Sequence, residues 1–266
     1  MQGENGVTHP LVSLTRARCL RYRSAVEPRR STASLQECLD AAREEPQMKL
    51  LTMMAHPDDA EIWAGGTIFK HTQRGDQAMI VYMAATADSV RGEEAKRGAA
   101  LLGAEVAFVG LSDGQVRDTS DACARASIIV KRFAPDLLIT HWLDDFHADH
   151  ATTAAIVQRV LPSVMADFGK SLRLWACDTY FSMGARGPFV PDVYVDVTSV
   201  WSQKLAAIRA HQSQRPEAWV VLMERHCGLH GHRCGQDDDK PAPFYAEGFK
   251  RLMPFGYIAP VDYLDA

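Results

Sequence analysis

The sequence has no apolar run approaching the roughly 20 residues that a membrane-spanning helix needs, and its N-terminus has no apolar core of a secretory signal. Those two absences read as a soluble, cytoplasmic protein. It also has no cationic excess: a formal net charge of -4 gives no general attraction to nucleic acid or to an anionic membrane surface. Small-molecule partners are expected instead. Six cysteines in 266 residues are far too few for a disulfide scaffold and read as reduced thiols, with Cys123 and Cys177 as small core residues. There is no internal repeat, and no low-complexity tract beyond the acidic run at 237–239. What is present is a 47% hydrophobic chain, long enough for one α/β domain with extensions.

Residues 1–47 differ in texture from the rest. The Arg-rich stretch from Leu14 to Arg30 has no clean periodicity, and 34–45 reads as a short amphipathic helix. An organellar address and a start set too early, with Met48 opening the domain, both fit this N-terminal extension of unknown role. From 48 to 266 short apolar runs alternate with helix-length segments. Lys49–Ala55, Ala78–Ala85, Val106–Leu111 and Asp136–His141 read as strands covered on both faces. Ile62–Arg74, Arg91–Leu102, Ser120–Phe133 and Asp149–Phe168 read as helices, several stopped by Gly75, Gly103 or Pro135. Strands near Leu172–Tyr180 and Val193–Val197 and a helix Ser199–Gln212 follow. The alternation predicts a Rossmann-like α/β fold: a mostly parallel sheet with helices on both faces.

In such a sheet, functional groups gather beyond the carboxyl ends of the strands, where strand order switches. Two segments fall there. His56-Pro57-Asp58-Asp59 follows the first strand, and the ten residues His141 to His150 after the fourth hold three histidines and three aspartates. Brought together, these loops supply the imidazoles and carboxylates that a divalent metal requires, with a carboxylate left over for acid–base work. Adjacent aspartates suit that division, since neighbouring side chains in an extended turn point different ways.

At these residues the sequence resembles the LmbE-like, or PIG-L-type, N-acetylglucosamine deacetylases. The AHPDDxE motif stands at Ala55–Glu61 with GGT at Gly65–Thr67, and HxDHxxT stands at His147–Thr153. Weaker echoes are Arg91-Gly92-Glu93-Glu94, Leu111–Gly114, His211–Gln214 and Ala246–Phe249, so the resemblance spans about residues 48–254. It implies His56, Asp59 and His150 as metal ligands and Asp58 as general base. It implies His147 as the imidazole that stabilises the transition state and protonates the leaving amine, with Asp149 orienting it. Arg91 and Asp113 fall where the family contacts sugar hydroxyls. The implied cofactor is zinc, with Fe2+ as the alternative metal, and the implied reaction removes an N-acetyl group from an N-acetylglucosamine-type conjugate.

The residue types agree with that chemistry. Amide hydrolysis needs a polarised carbonyl, an activated water and a proton for the nitrogen. A metal-dependent amide hydrolase acting on a non-sugar or thiol-conjugated substrate is the nearest alternative. A sugar-binding module that has lost the reaction is disfavoured because Asp58 and His147 are both kept. A nucleotide-binding module fails because no GxGxxG follows the first strand and its acids would repel a pyrophosphate. The partner expected is a small-molecule amino sugar conjugate, with no nucleic acid and no membrane; homo-oligomerisation stays open.

Bland roles compete at several positions. His56–Asp59 reads alternatively as a polar turn with Asp59 capping the next helix, and Asp149 as a cap of its own helix. His141 reads as a packed imidazole. Trp142, Phe146 and Trp219 suit sugar stacking and packing equally, and Trp63, standing where the family has a small residue, either narrows the pocket or fills core. The segment Arg225–Cys234 carries histidines and a Cys-x6-Cys pair, whose spacing misses the roughly two to four residues of structural zinc sites. It reads as a Gly-rich mobile loop that helps choose substrate.

Overall fold

Strand β1 (Lys49–Met54) is buried from Leu50 onward, as a strand covered on both faces must be. In this computed structural model residues 47–169, 172–234 and 244–252 are described. The helix expected at 34–45 and the acidic run at 237–239 lie outside them. Alternate β1 side chains feed two cores: Leu50 and Met54 face one, Leu51 and Met53 the other. Beyond β1 come α1 (Asp59–Gln73), β2 (Gln77–Ala84), α2 (Val90–Leu101), β3 (Glu105–Leu111), α3 (Ser120–Phe133), β4 (Leu137–Thr140), α4 (Ala148–Phe168) and β5 (Arg173–Cys177). A short hairpin, β6 (Met183–Gly184) and β7 (Gly187–Pro188), precedes β8 (Val193–Asp196), α5 (Trp201–Arg209), α6 (Pro216–Arg233) and β9 (Ala246–Leu252).

The seven-stranded sheet has the order β3-β2-β1-β4-β5-β9-β8. Its first five strands are parallel, and β9 is antiparallel to both β5 and β8. Helices α1, α2, α5 and α6 cover one face, α3 and α4 the other. The fold is the mostly parallel, doubly covered α/β sheet that the alternation predicts. Strand order reverses beside β1, which pairs with β2 on one side and β4 on the other. The loops after β1 and β4 therefore open into the same crevice.

The weaker sequence echoes hold the GGT segment and one another. Buried Glu247 of β9 accepts from the Gly66 and Thr67 N–H groups, at 2.9 and 2.8 Å, and pairs with the buried Lys204 ammonium at 2.7 Å. Gly66 is required there, since a Cβ would lie 2.5 Å from Val197 Cγ1. Glu94 accepts from the Ser213 N–H and hydroxyl at 2.8 and 2.6 Å, which fixes the His211–Gln214 segment against α2.

Three boundaries differ from expectation. Helix α1 starts at Asp59, not Ile62, because Asp59 occupies its first turn. The helix expected over 199–212 is shorter, ending at Arg209. The Arg225–Cys234 segment is no loop: through Arg233 it is the last part of the 18-residue α6. Val220, Met223, Cys227 and His230 are buried at spacings of three and four residues, so packing one face overrides the weak helix propensity of Gly228 and Gly231. Among the described residues no helix is long and apolar enough to cross a membrane.

Candidate active site

The loop after β1 is pinned before it reaches the crevice. The Ala55 N–H donates to His141 Nε2 at 3.0 Å, which ties the ends of β1 and β4 together, and the His56 N–H donates to Asp59 Oδ2 at 2.8 Å. Asp58 then takes φ 111°, a conformation L residues rarely adopt, and makes no side-chain cap to α1. Held strain of this kind is characteristic of functional sites, where the surroundings over-determine the backbone. Asp59 sits in the first turn of α1, where the helix dipole favours its negative charge. All three side chains are buried, so the solvated-turn reading of His56–Asp59 does not hold.

His56, Asp59 and His150 converge. Asp59 Oδ2 lies 3.3 Å from His56 Nδ1 and 3.4 Å from His150 Nε2, and the two imidazole centroids are 5.3 Å apart. The Nε2 atom of His150 is buried and has no hydrogen-bond partner. His147 stacks on His150 with centroids 4.4 Å apart, and ligand atoms of His56, His147 and His150 lie within 4.8 Å of one another. This is a His/Asp cluster able to hold a metal ion. His141 joins it at the back: its Nε2 is 3.3 Å from Asp59 Oδ2 and its ring stacks on His150 at 3.8 Å. Burial first, then His150, pushes the His141 pKa down to about 4, so it is a neutral, packed imidazole.

Electrostatics separate the two adjacent aspartates. Burial raises Asp58, the Asp59 charge raises it further, and Arg91 only partly offsets them, leaving it at about 7. Burial would also raise Asp59, but the His150 and His141 imidazoles overcome it and hold Asp59 well below the usual carboxylate range. Burial lowers His150, yet Asp59 and Asp145 between them lift it to about 10. One aspartate is a permanent anion among imidazoles; its neighbour can take and release a proton near neutral pH.

These groups line a cavity of about 390 Å³, into which His56, Asp58, Asp59, Arg91, Asp113 and His147 project beside Tyr180 and Trp219. Arg91 spans its rim, 2.6 Å from Asp113 Oδ2, 2.8 Å from the Pro57 carbonyl and 3.4 Å from Asp58 Oδ1. Of the three candidate stacking rings, Trp219 reaches the cavity. Trp142 packs edge-on against Phe189 at 5.2 Å, and Phe146 is exposed. Trp63 fills core behind Tyr180, its ring 5.5 Å away edge-on.

Asp149 does not sit as expected. Its carboxylate lies 3.2 Å from His56 Nε2 and accepts from the Val116 N–H at 3.2 Å, so it orients His56 rather than His147. His147 is itself the cap of α4, its Nδ1 accepting from the Asp149 N–H at 3.3 Å. The neutral His147 ring therefore carries its proton on Nε2. Burial, followed by the charges of His150 and His56, lowers the His147 pKa, so the neutral donor is the form to reckon with, not the imidazolium.

Sequence reading assigned nothing to Asp145. Its side chain is buried, with Oδ2 3.0 Å from His150 Nδ1 and 2.6 Å from the Thr179 hydroxyl that donates to it, while Oδ1 accepts from the His147 N–H at 2.7 Å. A carboxylate behind a histidine is the arrangement that fixes the tautomer of a metal ligand. Its place in the His/Asp-rich decapeptide was the available signal. Tyr180 and Arg215 also line the cavity and carried none, whereas Gln214, another lining residue, closes the weak His211–Gln214 echo.

Residues 51–161 match the PIG-L family, described as GlcNAc-PI de-N-acetylase. That segment, which holds both histidine–aspartate motifs, is similar to the PIG-L family. Among curated relatives, diacetylchitobiose deacetylase of Thermococcus kodakarensis is 26% identical over 237 residues, covering 79% of this chain and 88% of that protein. The 4-oxalmesaconate hydratase of Pseudomonas putida is also 26% identical over 237 residues, covering 79% of this chain and 91% of its own. The crystal structure of N,N'-diacetylchitobiose deacetylase from Pyrococcus horikoshii superposes with a TM-score of 0.64 at 23% identity, covering 88% of this chain and 98% of that one. That last likeness shows a shared fold. One of these curated relatives is a hydratase and the other a deacetylase, so similarity alone does not name the reaction.

Proposed function

We propose that this protein is a PIG-L-type, metal-dependent N-deacetylase acting on an N-acetylglucosamine-type amino sugar conjugate. The observation that carries the reading is Asp58: a strained, cavity-facing carboxylate with a pKa of about 7, beside a metal-binding cluster in which it is not needed as a ligand. His56, Asp59 and His150 would hold zinc, or Fe2+ in its place. Three donors of His and carboxylate type, one of them a buried imidazole nitrogen with no partner, fit such an ion. When bound, the ion supplies a water of lowered pKa and polarises the amide carbonyl.

The protein's own groups do the rest. Asp58 accepts a proton from the attacking water, and its pKa near neutrality lets it release that proton again in the same cycle. Arg91 keeps Asp58 directed at the cavity. The neutral His147 Nε2–H donates a hydrogen bond to the carbonyl oxygen as negative charge develops there, and the proton that Asp58 took from the water passes on to the departing nitrogen. Asp149 and Asp145 steady His56 and His150 from behind. For the substrate, Trp219 and Tyr180 offer ring faces, Arg91 and Asp113 offer hydroxyl partners, and the cavity volume suits one sugar unit with the remainder outside. A water-soluble small molecule, rather than nucleic acid or a membrane, suits the net charge of -4.

A second reading, addition of water to an unsaturated acid, draws on the hydratase relative. Both readings use an activated water; they part at the bond that breaks. The test is a mass-spectrometric screen of zinc-loaded and chelator-stripped protein against N-acetylglucosaminides of varied aglycone, and against unsaturated dicarboxylates. Metal-dependent loss of one acetyl group supports the proposal. Gain of one water by an unsaturated acid, with every N-acetyl compound untouched, would replace it with the second reading.

A further inference from the structure

We propose that Asp178, His226 and His230 form a second divalent-metal site, selective for zinc or a similar borderline ion, that clamps α6 to the end of β5. His226 and His230 stand four residues apart on α6 and so share one face of the helix. Both present Nε2 to the same atom, Asp178 Oδ2, at 3.0 and 2.6 Å, and the ligand atoms of all three lie within 4.8 Å of one another. Two imidazoles and a carboxylate are a common zinc donor set, and three protein ligands leave a position for water.

The ligands are held for the purpose. Asp178 Oδ1 accepts from the Thr179 N–H at 2.7 Å, and Oδ2 also accepts from the Ser182 hydroxyl at 2.8 Å, which fixes the carboxylate plane. The edge of the His226 ring meets Trp63 at 5.6 Å, and His230 lies 5.1 Å from Tyr194, so neither imidazole is free to turn. Asp178 and His230 are buried, and the His226 side chain, 9% exposed, is the edge of the cluster nearest solvent. Ligand atoms around a tetrahedral zinc stand about 3.3 Å apart. An ion replacing the two Nε2 protons therefore asks the carboxylate to part from His226 by about 0.3 Å and from His230 by about 0.7 Å, given the present 3.0 and 2.6 Å.

Occupancy would reach the cavity without entering it. Thr179, next to Asp178, donates its hydroxyl to Asp145, and Tyr180 follows with its ring 5.8 Å from that of Trp219 on α6. An ion joining Asp178 to α6 thus fixes both sides of the aromatic wall relative to each other.

The experiment uses the full chain, stripped of metal and titrated with Zn2+ alone, with bound equivalents counted by native mass spectrometry. His226→Gln keeps a hydrogen bond to Asp178 and is expected to take up one equivalent fewer than the wild type, whatever Asp59→Ala does to the first cluster. Equal uptake by wild type and folded His226→Gln would overturn the proposal. If the variant does not fold, protein with the Asp178, His226 and His230 cluster intact decides: zinc should protect His226 from diethyl pyrocarbonate in the Asp59→Ala background, as read by peptide mapping. Unprotected His226 at saturating zinc would overturn it equally. Neither readout depends on catalytic activity, so the deacetylase proposal can fail while this one stands.

Discussion

Two clusters of histidine and aspartate are linked through Thr179, which follows Asp178 and donates to Asp145, and they are built differently. The one at His56, Asp59 and His150 joins two loops at the strand-order switch, opens to a cavity of about 390 Å³, and has a spare carboxylate in Asp58. The one at Asp178, His226 and His230 joins a strand end to a helix face, and Asp178 is its sole carboxylate. Similar donor types thus serve unlike ends. Catalysis requires an open cavity and a group held back from the ion; a clamp requires neither.

The sharpest way to break this contrast is to remove the spare base. Asn tolerates positive φ, so Asp58→Asn should keep the fold and the metal while kcat falls on the order of 10² to 10⁴. Equal metal content with undiminished rate would erase the difference between the clusters. The complementary change is Asp178→Ala, which strands three donors that now share its Oδ2. It should cost on the order of 3 kcal/mol of stability, seen as a lower melting temperature, with a far smaller loss of kcat than Asp58→Asn.

Asp145→Ala tests the support of the first cluster. Removing the carboxylate behind His150 should weaken zinc binding by roughly 10 to 100 fold, measured by chelator competition, with a stability loss similar to that of Asp178→Ala because it too strands three donors. The pH dependence is the mildest probe. Asp58 acts as a base only when ionised, and burial with the Asp59 charge holds it at about 7, a value a neighbouring cation can only draw down. Hence kcat/KM should be flat above about 7 and fall about tenfold per pH unit below the Asp58 pKa. A profile that keeps rising well above that pH would mean another group is the base.

The same contrast explains what the sequence could tell. The first cluster is contiguous in sequence: four residues after one apolar run and ten after another, at places the alternation of strands and helices already marks as a crevice. The fold was legible for the same reason, since fully apolar strand runs occur only where both faces are covered. The second cluster was hidden because its members are 48 and 52 residues apart and meet only when α6 packs. The neighbouring Cys227 and Cys234 belong to neither cluster: Cys227 packs in the core and Cys234 bonds back to the His230 carbonyl. The buried positions Val220, Met223, Cys227 and His230 did carry a helical period, masked by Gly228 and Gly231. Asp149 could not be assigned by spacing, because its two oxygens are claimed by His56 and by Val116 from the loop after β3.

The most direct test of the central claim is to run the reaction in water labelled with heavy oxygen. An N-acetylglucosaminide that loses its acetyl group should release acetate carrying one labelled oxygen, and should do so with wild-type protein and not with Asp58→Asn at equal metal content. Label found in an intact, hydrated product, with no acetate formed, would contradict the account.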